Sequence, residues 1–354
     1  MIQPATIDEV QTVVRASTRI TIRGRGTKPA LSTPANGATV VDLTALSGIV
    51  EYNPGEYTFT ALAGTRVAEI QAALAKHGQY LPFDPPFVER GATLGGMVAA
   101  GLSGPGRYRY GGVRDFILGV RFVDGRGEIV RGGGKVVKNS AGFDIPKLMV
   151  GSLGSFGVLV ELTFKVFPKS PAHITVRAEY TTLADALDSF YRLYTARIEI
   201  DSLDLVPRPD SVELLVRLAG LPEALPARAE RIRNLSGGEV LAEDEAVWRE
   251  AREFAWVREG WSLIKVPLTP KRIPDLESRL GSTQTLRRYS AGCVGWVAVA
   301  DSPENMDGLL ASLALPGLAV IGSTPNPRIG YRNGQTFESR IKLTFDPPNR
   351  FPNL

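Results

Sequence analysis

The chain has 354 residues, 44% of them hydrophobic and 22% charged, and its 41 basic and 37 acidic side chains leave a net charge of +4. That length makes two domains the default and lets roughly three quarters of the unfolded surface be buried. The positive charge is small and scattered, which argues against a nucleic-acid-binding face, and the single cysteine, Cys293, excludes an internal disulfide and an iron–sulfur cluster held by this chain alone.

The two histidines, His77 and His173, match no metal-ligand spacing, so no metal is expected. No basic segment precedes an apolar core at the N-terminus, and no apolar run reaches about 18 residues. The expectation is a cytoplasmic protein, soluble or peripheral to the inner face of the cell membrane.

In chain order, residues 4–16 read as an amphipathic helix with Asp8 and Glu9 in its first turn, where acids favour the helix dipole. A short β-like run, Ile20 to Ile22, then ends in Arg23-Gly24-Arg25-Gly26-Thr27-Lys28. Alternating glycine and basic residues after a strand offer backbone N–H groups and cations to one anion, as in a phosphate nest; the same pattern also suits a basic hairpin turn. It is not a dinucleotide fingerprint of Rossmann type, because Pro29 follows where a third glycine and a helix are required. Strands are expected at 40–43, 48–52 and 57–61, and a helix from Thr65 that stops at Gly78.

A proline-rich passage, 80–87, leads into a stretch with glycine at 91, 95, 96, 101, 104, 106, 111, 112, 142, 151, 154 and 157. Glycine at so many points of change implies a large object lying against main chain. Thr93 is placed to cap a helix over 94–100, whose free N–H groups could bind an anion. Between the glycines lie a β-rich segment, 116–123, and an amphipathic one, 125–130; a strand is expected at 160–166.

After Pro171 glycine thins out. Strands are expected at 173–180, 202–206, 212–218, 262–266, 286–290, 294–300 and 318–321, with helices at 183–196, 225–234, 243–256, 270–280 and 304–313. Two successive strand-helix-strand-strand-helix passages suggest a ferredoxin-like layer, duplicated.

The segments GATLGGMVAAGLSGP, VRDFILG and VVKNSAGFDIPKLMVGSLGSFGV occur in this order between Gly91 and Val158. They resemble the FAD-binding domain of the vanillyl-alcohol oxidase and p-cresol methylhydroxylase superfamily, and more narrowly the second FAD-binding subunits of bacterial glycolate oxidases. The resemblance implies an α+β chain with a two-part FAD-binding domain of p-cresol methylhydroxylase type at 1–168. A ferredoxin-like α+β cap at 169–325 and a C-terminal segment at 326–354, returning to the first domain, complete it. The tail from Arg340 resembles the family's closing KxxxDPxxxFNPG, with Pro352 and Asn353 in altered order.

By that resemblance, Arg23, Gly24, Arg25, Gly26, Thr27 and Lys28 would hold the FAD pyrophosphate. Thr93, Leu94, Gly95 and Gly96 would sit against the diphosphate and ribityl chain, and Pro86 and Gly91 would also bind the cofactor. Gly101, Ser103 and Gly104 would back the cofactor, Arg114 and Asp115 would close the loop behind it, Lys138, Asn139 and Asp144 would lie near its rim, and Gly157 and Val158 would present main chain to it. No His or Cys stands in the first loop, so FAD is expected to be non-covalent.

For the hydroxy-acid chemistry that the resemblance implies, a base and cations are required. Arg109, Lys265 and Arg288 are cations, and Tyr110 could donate to an oxyanion, but no general base stands out. The expected role is therefore an FAD-binding subunit of a glycolate oxidase-type complex, taking part in electron transfer from glycolate or D-lactate. Its partners would be a paralogous FAD-binding subunit and an iron–sulfur subunit. The alternatives are a self-sufficient FAD-dependent oxidoreductase and a flavin-free structural subunit.

Overall fold

The computed structural model describes residues 1–134, 143–281, 284–290 and 293–353. Contacts divide the chain into two units: Met1–Ser103, Gly112–Lys169 and Asn333–Leu354 form the first, and Gly104–Gly111 with Ser170–Arg332 the second.

The first unit opens with α1 (Ile7–Ala16), capped by Thr6, whose side chain accepts from Glu9 N–H, and buried through Val10 and Val14. The strands β1 (Ile20–Arg23) and β2 (Thr39–Asp42) pair in parallel. After β3 (Ile49–Asn53) and β4 (Thr58–Leu62) come α2 (Val67–Ala75), β5 (Gln79–Tyr80) and α3 (Leu94–Ala100). The short α4 (Arg107–Tyr110) lies in the excursion that counts with the second unit. The first unit resumes with β6 (Ile117–Val123), β7 (Ile129–Gly133), α5 (Ile145–Met149), β8 (Val158–Lys165) and β9 (Phe167–Pro168).

Among the described residues, β3, β4, β8, β6 and β7 form one antiparallel sheet in that order. Its central strand, β8, is buried at five of its eight positions as a strand covered on both faces should be. Phe59 stacks on Phe164 at 5.8 Å, and Val158 and Val160 pack with Val10 and Val14 of α1. Of the segment expected to be amphipathic, 125–128 is a turn: Asp124 Oδ1 accepts from the N–H groups of Arg126 and Glu128 and joins β6 to β7.

The second unit contains β10 (Ala172–Tyr180), α6 (Leu183–Thr195), β11 (Ser202–Pro207), β12 (Val212–Gly220), α7 (Leu225–Ser236), β13 (Glu239–Val240) and α8 (Glu245–Glu253). It continues with β14 (Ser262–Pro267), α9 (Ile273–Leu280), β15 (Thr285–Ser290), β16 (Val294–Val299), α10 (Asp307–Ser312), β17 (Pro316–Ile321) and β18 (Arg328–Gly330). Among the described residues the strands form one sheet in the order β13-β10-β12-β11-β15-β16-β14-β17-β18. Within it β13-β10-β12-β11 and β17-β14-β16-β15 each have the strand order of a ferredoxin-like βαββαβ unit. The two halves join where Asp204 and Leu205 of β11 pair with Ser290 and Tyr289 of β15.

One face of that sheet buries Val176, Leu214, Ile264 and Val297 beneath residues such as Phe190 of α6, Ile232 of α7, Leu276 of α9 and Leu310 of α10. Trp248 of α8 packs with Val206 and Leu215. The helix expected at 243–256 ends at Glu253 because Phe254 turns to φ 52°, and that at 270–280 begins as a 3₁₀ turn, Pro270–Arg272, since proline opens it without a donor.

Finally α11 (Gln335–Phe345) counts with the first unit. Its buried Lys342 donates to Asp346 Oδ2 at 2.7 Å and to Phe351 O at 2.9 Å. Asp346 in turn accepts from the N–H groups of Arg350 and Phe351, so the tail is held by charge-assisted hydrogen bonds.

Candidate functional site

A cleft of about 90 Å³, open to solvent, lies in the first unit. One wall is the loop after β1, contributing Gly24, Arg25, Gly26, Thr27 and Lys28; another is the start of α3, with Thr93, Gly95, Gly96, Ala99 and Ala100. Leu153, Gly154, Gly157 and Leu159 supply a third.

The β1 loop turns because Gly26 takes φ +68°, a conformation costly for residues with a side chain. Among the described residues, the backbone N–H groups of Arg25, Gly26, Thr27 and Lys28 donate to no acceptor. Consecutive unpartnered N–H groups beside a cleft call for an acceptor from outside the chain. Lys28 adds a charge: it is 9% exposed, and burial pulls its amine down to about 8.

The start of α3 behaves differently from expectation. Leu94 N–H donates to Thr65 O at 2.9 Å, Gly95 N–H to Ala63 O at 2.8 Å and Gly96 N–H to Thr93 Oγ1 at 3.3 Å. Those donors are consumed by the protein's own packing, so this helix end offers no free N–H at these positions. Its glycines serve clearance instead. A Cβ on Gly95 would lie 2.8 Å from that of Ala63, and one on Gly24 would lie 2.5 Å from Thr93 Oγ1.

Apart from Gly157, the other described residues inferred from sequence are not among those lining the cleft. Arg23 ends β1 and is exposed, and its guanidinium lies 3.0 Å from where a Cβ on Gly26 would fall. Pro86, Leu94 and Val158 are buried, Val158 in the core shared with α1. Gly91 closes a turn against the Arg25 side chain, and Gly101 caps α3 against Gly151. Ser103 accepts from Val113 N–H, Asp115 from Gly112 N–H, and Arg114 is exposed. Asp144 caps α5 and bonds Lys147 at 2.7 Å, Gly104 counts with the second unit, and Lys138 and Asn139 lie outside the described residues. Burial, the largest single influence, raises the Asp144 carboxyl, but the hydrogen bonds from Lys147 and the charges of Lys147 and Arg114 together outweigh it and hold the carboxyl below its usual range.

Sequence reasoning missed Ile22, Leu31, Ser32, Leu43, Ala63 and Leu159, which also line the cleft. Small and apolar side chains there look like core residues along the sequence, so no local signal marks them.

The catalytic candidates all count with the second unit. Arg109 bonds Glu199 at 3.3 Å and lies 5.3 Å from the Tyr110 ring. Arg288 Nε donates to Asp204 at 2.6 Å, with both side chains buried. Lys265 is lowered to about 8, mainly by burial and then by the positive charge of Arg107. Tyr289 donates to Glu277, which also takes Arg287 at 3.0 Å.

The residues present fit a dinucleotide. The loop supplies N–H donors and a buried cation for a diphosphate, the glycines let the cleft's walls pack closely on one another, and the hydroxyls of Ser152 and Ser155, flanking the lining residues Leu153 and Gly154, are buried without a partner among the described residues.

A family profile described as FAD binding domain matches residues 1–133. Glycolate oxidase subunit GlcE of Escherichia coli is 39% identical over 255 residues, 70% of this chain and 68% of that protein. A D-2-hydroxyglutarate dehydrogenase of Xanthomonas citri is 27% identical over 297 residues, 81% of this chain and 61% of the dehydrogenase. A solved alkyldihydroxyacetonephosphate synthase matches in fold with a TM-score of 0.72 at 14% identity, covering 98% of this chain and 75% of the synthase. Fold and cleft therefore define an FAD-binding protein of p-cresol methylhydroxylase type. The chain belongs to the family of FAD-binding oxidoreductases that includes glycolate oxidase subunit GlcE. Among the described residues no helix is long and apolar enough to cross a membrane.

Proposed function

We propose that the chain is an FAD-binding subunit of a glycolate oxidase-type complex, taking part in the oxidation of a short 2-hydroxy acid such as glycolate or D-lactate in the cytoplasm. The observation that carries this reading is the run of N–H groups from Arg25 to Lys28 that find no acceptor among the described residues, beside a buried lysine, in a chain 39% identical over 255 residues to a protein named as a glycolate oxidase subunit. The loop would hold the FAD diphosphate, and Thr93 with Gly95 and Gly96 would shape the facing wall. Bound FAD would supply the electron acceptor.

Arg109 and Arg288 are engaged by Glu199 and Asp204, which makes both poorly suited to take a substrate carboxylate. The partners would be a paralogous FAD-binding subunit and an iron–sulfur subunit, to which electrons pass.

An absorption spectrum of the purified chain before and after acid precipitation tests the reading. A flavin band that moves into the supernatant supports non-covalent FAD, and one that stays with the pellet overturns it. A colourless chain that FAD cannot reconstitute would instead favour a structural subunit, and dye reduction by the isolated chain with glycolate would favour a self-sufficient enzyme.

A further inference from the structure

Lys28 stands at the end of the nest, with its backbone opening the turn Pro29–Leu31 and its side chain 9% exposed against the cleft. An ammonium carries three donors, and among the described residues Nζ meets one oxygen, Thr27 Oγ1 at 3.0 Å. It also lies 5.5 Å from the centroid of the Phe87 ring. The charged neighbours on its own loop, Arg23 and Arg25, are cations, and so is Arg90, which approaches the same ring at 5.5 Å. Asp84 and Glu89 are the acids of the segment that carries Phe87, and burial is the cause that lowers the amine. A buried cation without a carboxylate partner favours its neutral form until an anion arrives.

Resting on the cleft's being the FAD site, we infer that FAD binding takes up a proton from solvent and that Lys28 receives it. The free chain holds part of its population as the neutral amine near and above pH 8. The diphosphate brings two negative charges against the N–H groups beside it, and the amine in the complex then stays protonated. Each binding event converts an amine and a solvent proton into an ammonium paired with the ligand, with no other bond made or broken.

Linkage sets the direction. With the free amine at about 8, FAD affinity falls roughly tenfold between about pH 7 and about pH 9, and proton uptake rises from ~0.1 to ~0.9 per FAD. The test is to strip the chain of flavin and follow FAD binding by fluorescence quenching across that range. Calorimetry in two buffers of different ionisation heat counts the protons. The arginine of Lys28→Arg never deprotonates, so this variant should bind with a flat pH profile; Lys28→Met should bind more weakly at pH 7 and also flatly. FAD binding that varies less than twofold across the range, without proton uptake, overturns the inference and leaves the site reading standing. A Lys28→Arg protein with the wild-type slope overturns it too, by showing that another group titrates. Absence of FAD binding at every pH overturns both.

Discussion

Gly24 and Thr93 meet across the cleft so closely that a methyl group on Gly24 would lie 2.5 Å from the Thr93 hydroxyl oxygen. That oxygen already accepts from Gly96 N–H and caps α3, so it cannot move without cost. Gly24→Ala is expected to displace the nest loop, weaken FAD binding at least tenfold and destabilise the chain by about 1–3 kcal/mol. Flavin titration and thermal melting check this, and an alanine variant binding FAD within twofold of wild type would show that the contact does not position the loop.

In the second unit, Asp204 and Arg288 form an ion pair in which the side chains are 0% and 5% exposed, with the guanidinium 5.6 Å from the Trp248 ring. Removing one buried partner strands the other's charge. Arg288→Met should cost about 3–5 kcal/mol in denaturant unfolding, and adding Asp204→Asn should recover part of that loss. Equal costs for the single and double variants would argue against the coupling.

Lys265 gives stability a pH signature. Its folded value of about 8 lies below the ~10.4 of an unfolded lysine. Between those values the unfolded chain binds the proton and the folded chain does not, so this group's contribution to stability rises with pH through that window. Lys265→Met should therefore be most favourable relative to wild type below about pH 8, and lose that advantage toward pH 10. Denaturation curves for both proteins at several pH values measure it, and a difference independent of pH would refute it.

The C-terminal tail depends on one carboxylate. Asp346 takes Lys342 Nζ at 2.7 Å and two backbone N–H groups at 2.9 Å each. Asp346→Ala leaves a buried ammonium and two donors without their acceptor, for an expected loss of about 3–5 kcal/mol. Limited proteolysis should then cut first within 333–353, whereas an unchanged cleavage pattern would mean the tail is held by other contacts.

Local chemistry made much of the fold legible. Thr93 capping α3 and Thr182 capping α6 follow from a hydroxyl's reach to an N–H three residues on. The alternation of the second half marked its strands, because a sheet lined on one face by Leu214, Val216 and Leu218 writes period two into the chain. The misses have the same origin. The end of α8 depends on the positive φ of Phe254, which no residue type announces, and the turn after β6 depends on where Asp124 points.

Read alone, the sequence determined the glycine-rich nest, the strand and helix periods, the duplicated second half and the family, since each is written in neighbouring residues. Only the tertiary structure decided which donors remain for a ligand. The α3 N–H groups of Leu94 and Gly95 are taken by Thr65 and Ala63, whose carbonyls come from about thirty residues earlier in the chain, whereas among the described residues those of Arg25 to Lys28 find no acceptor. It also decided that Arg288 belongs to Asp204, 84 residues away. Long-range pairing spends or spares a polar group according to what packing brings beside it, and that is a property of the assembled chain.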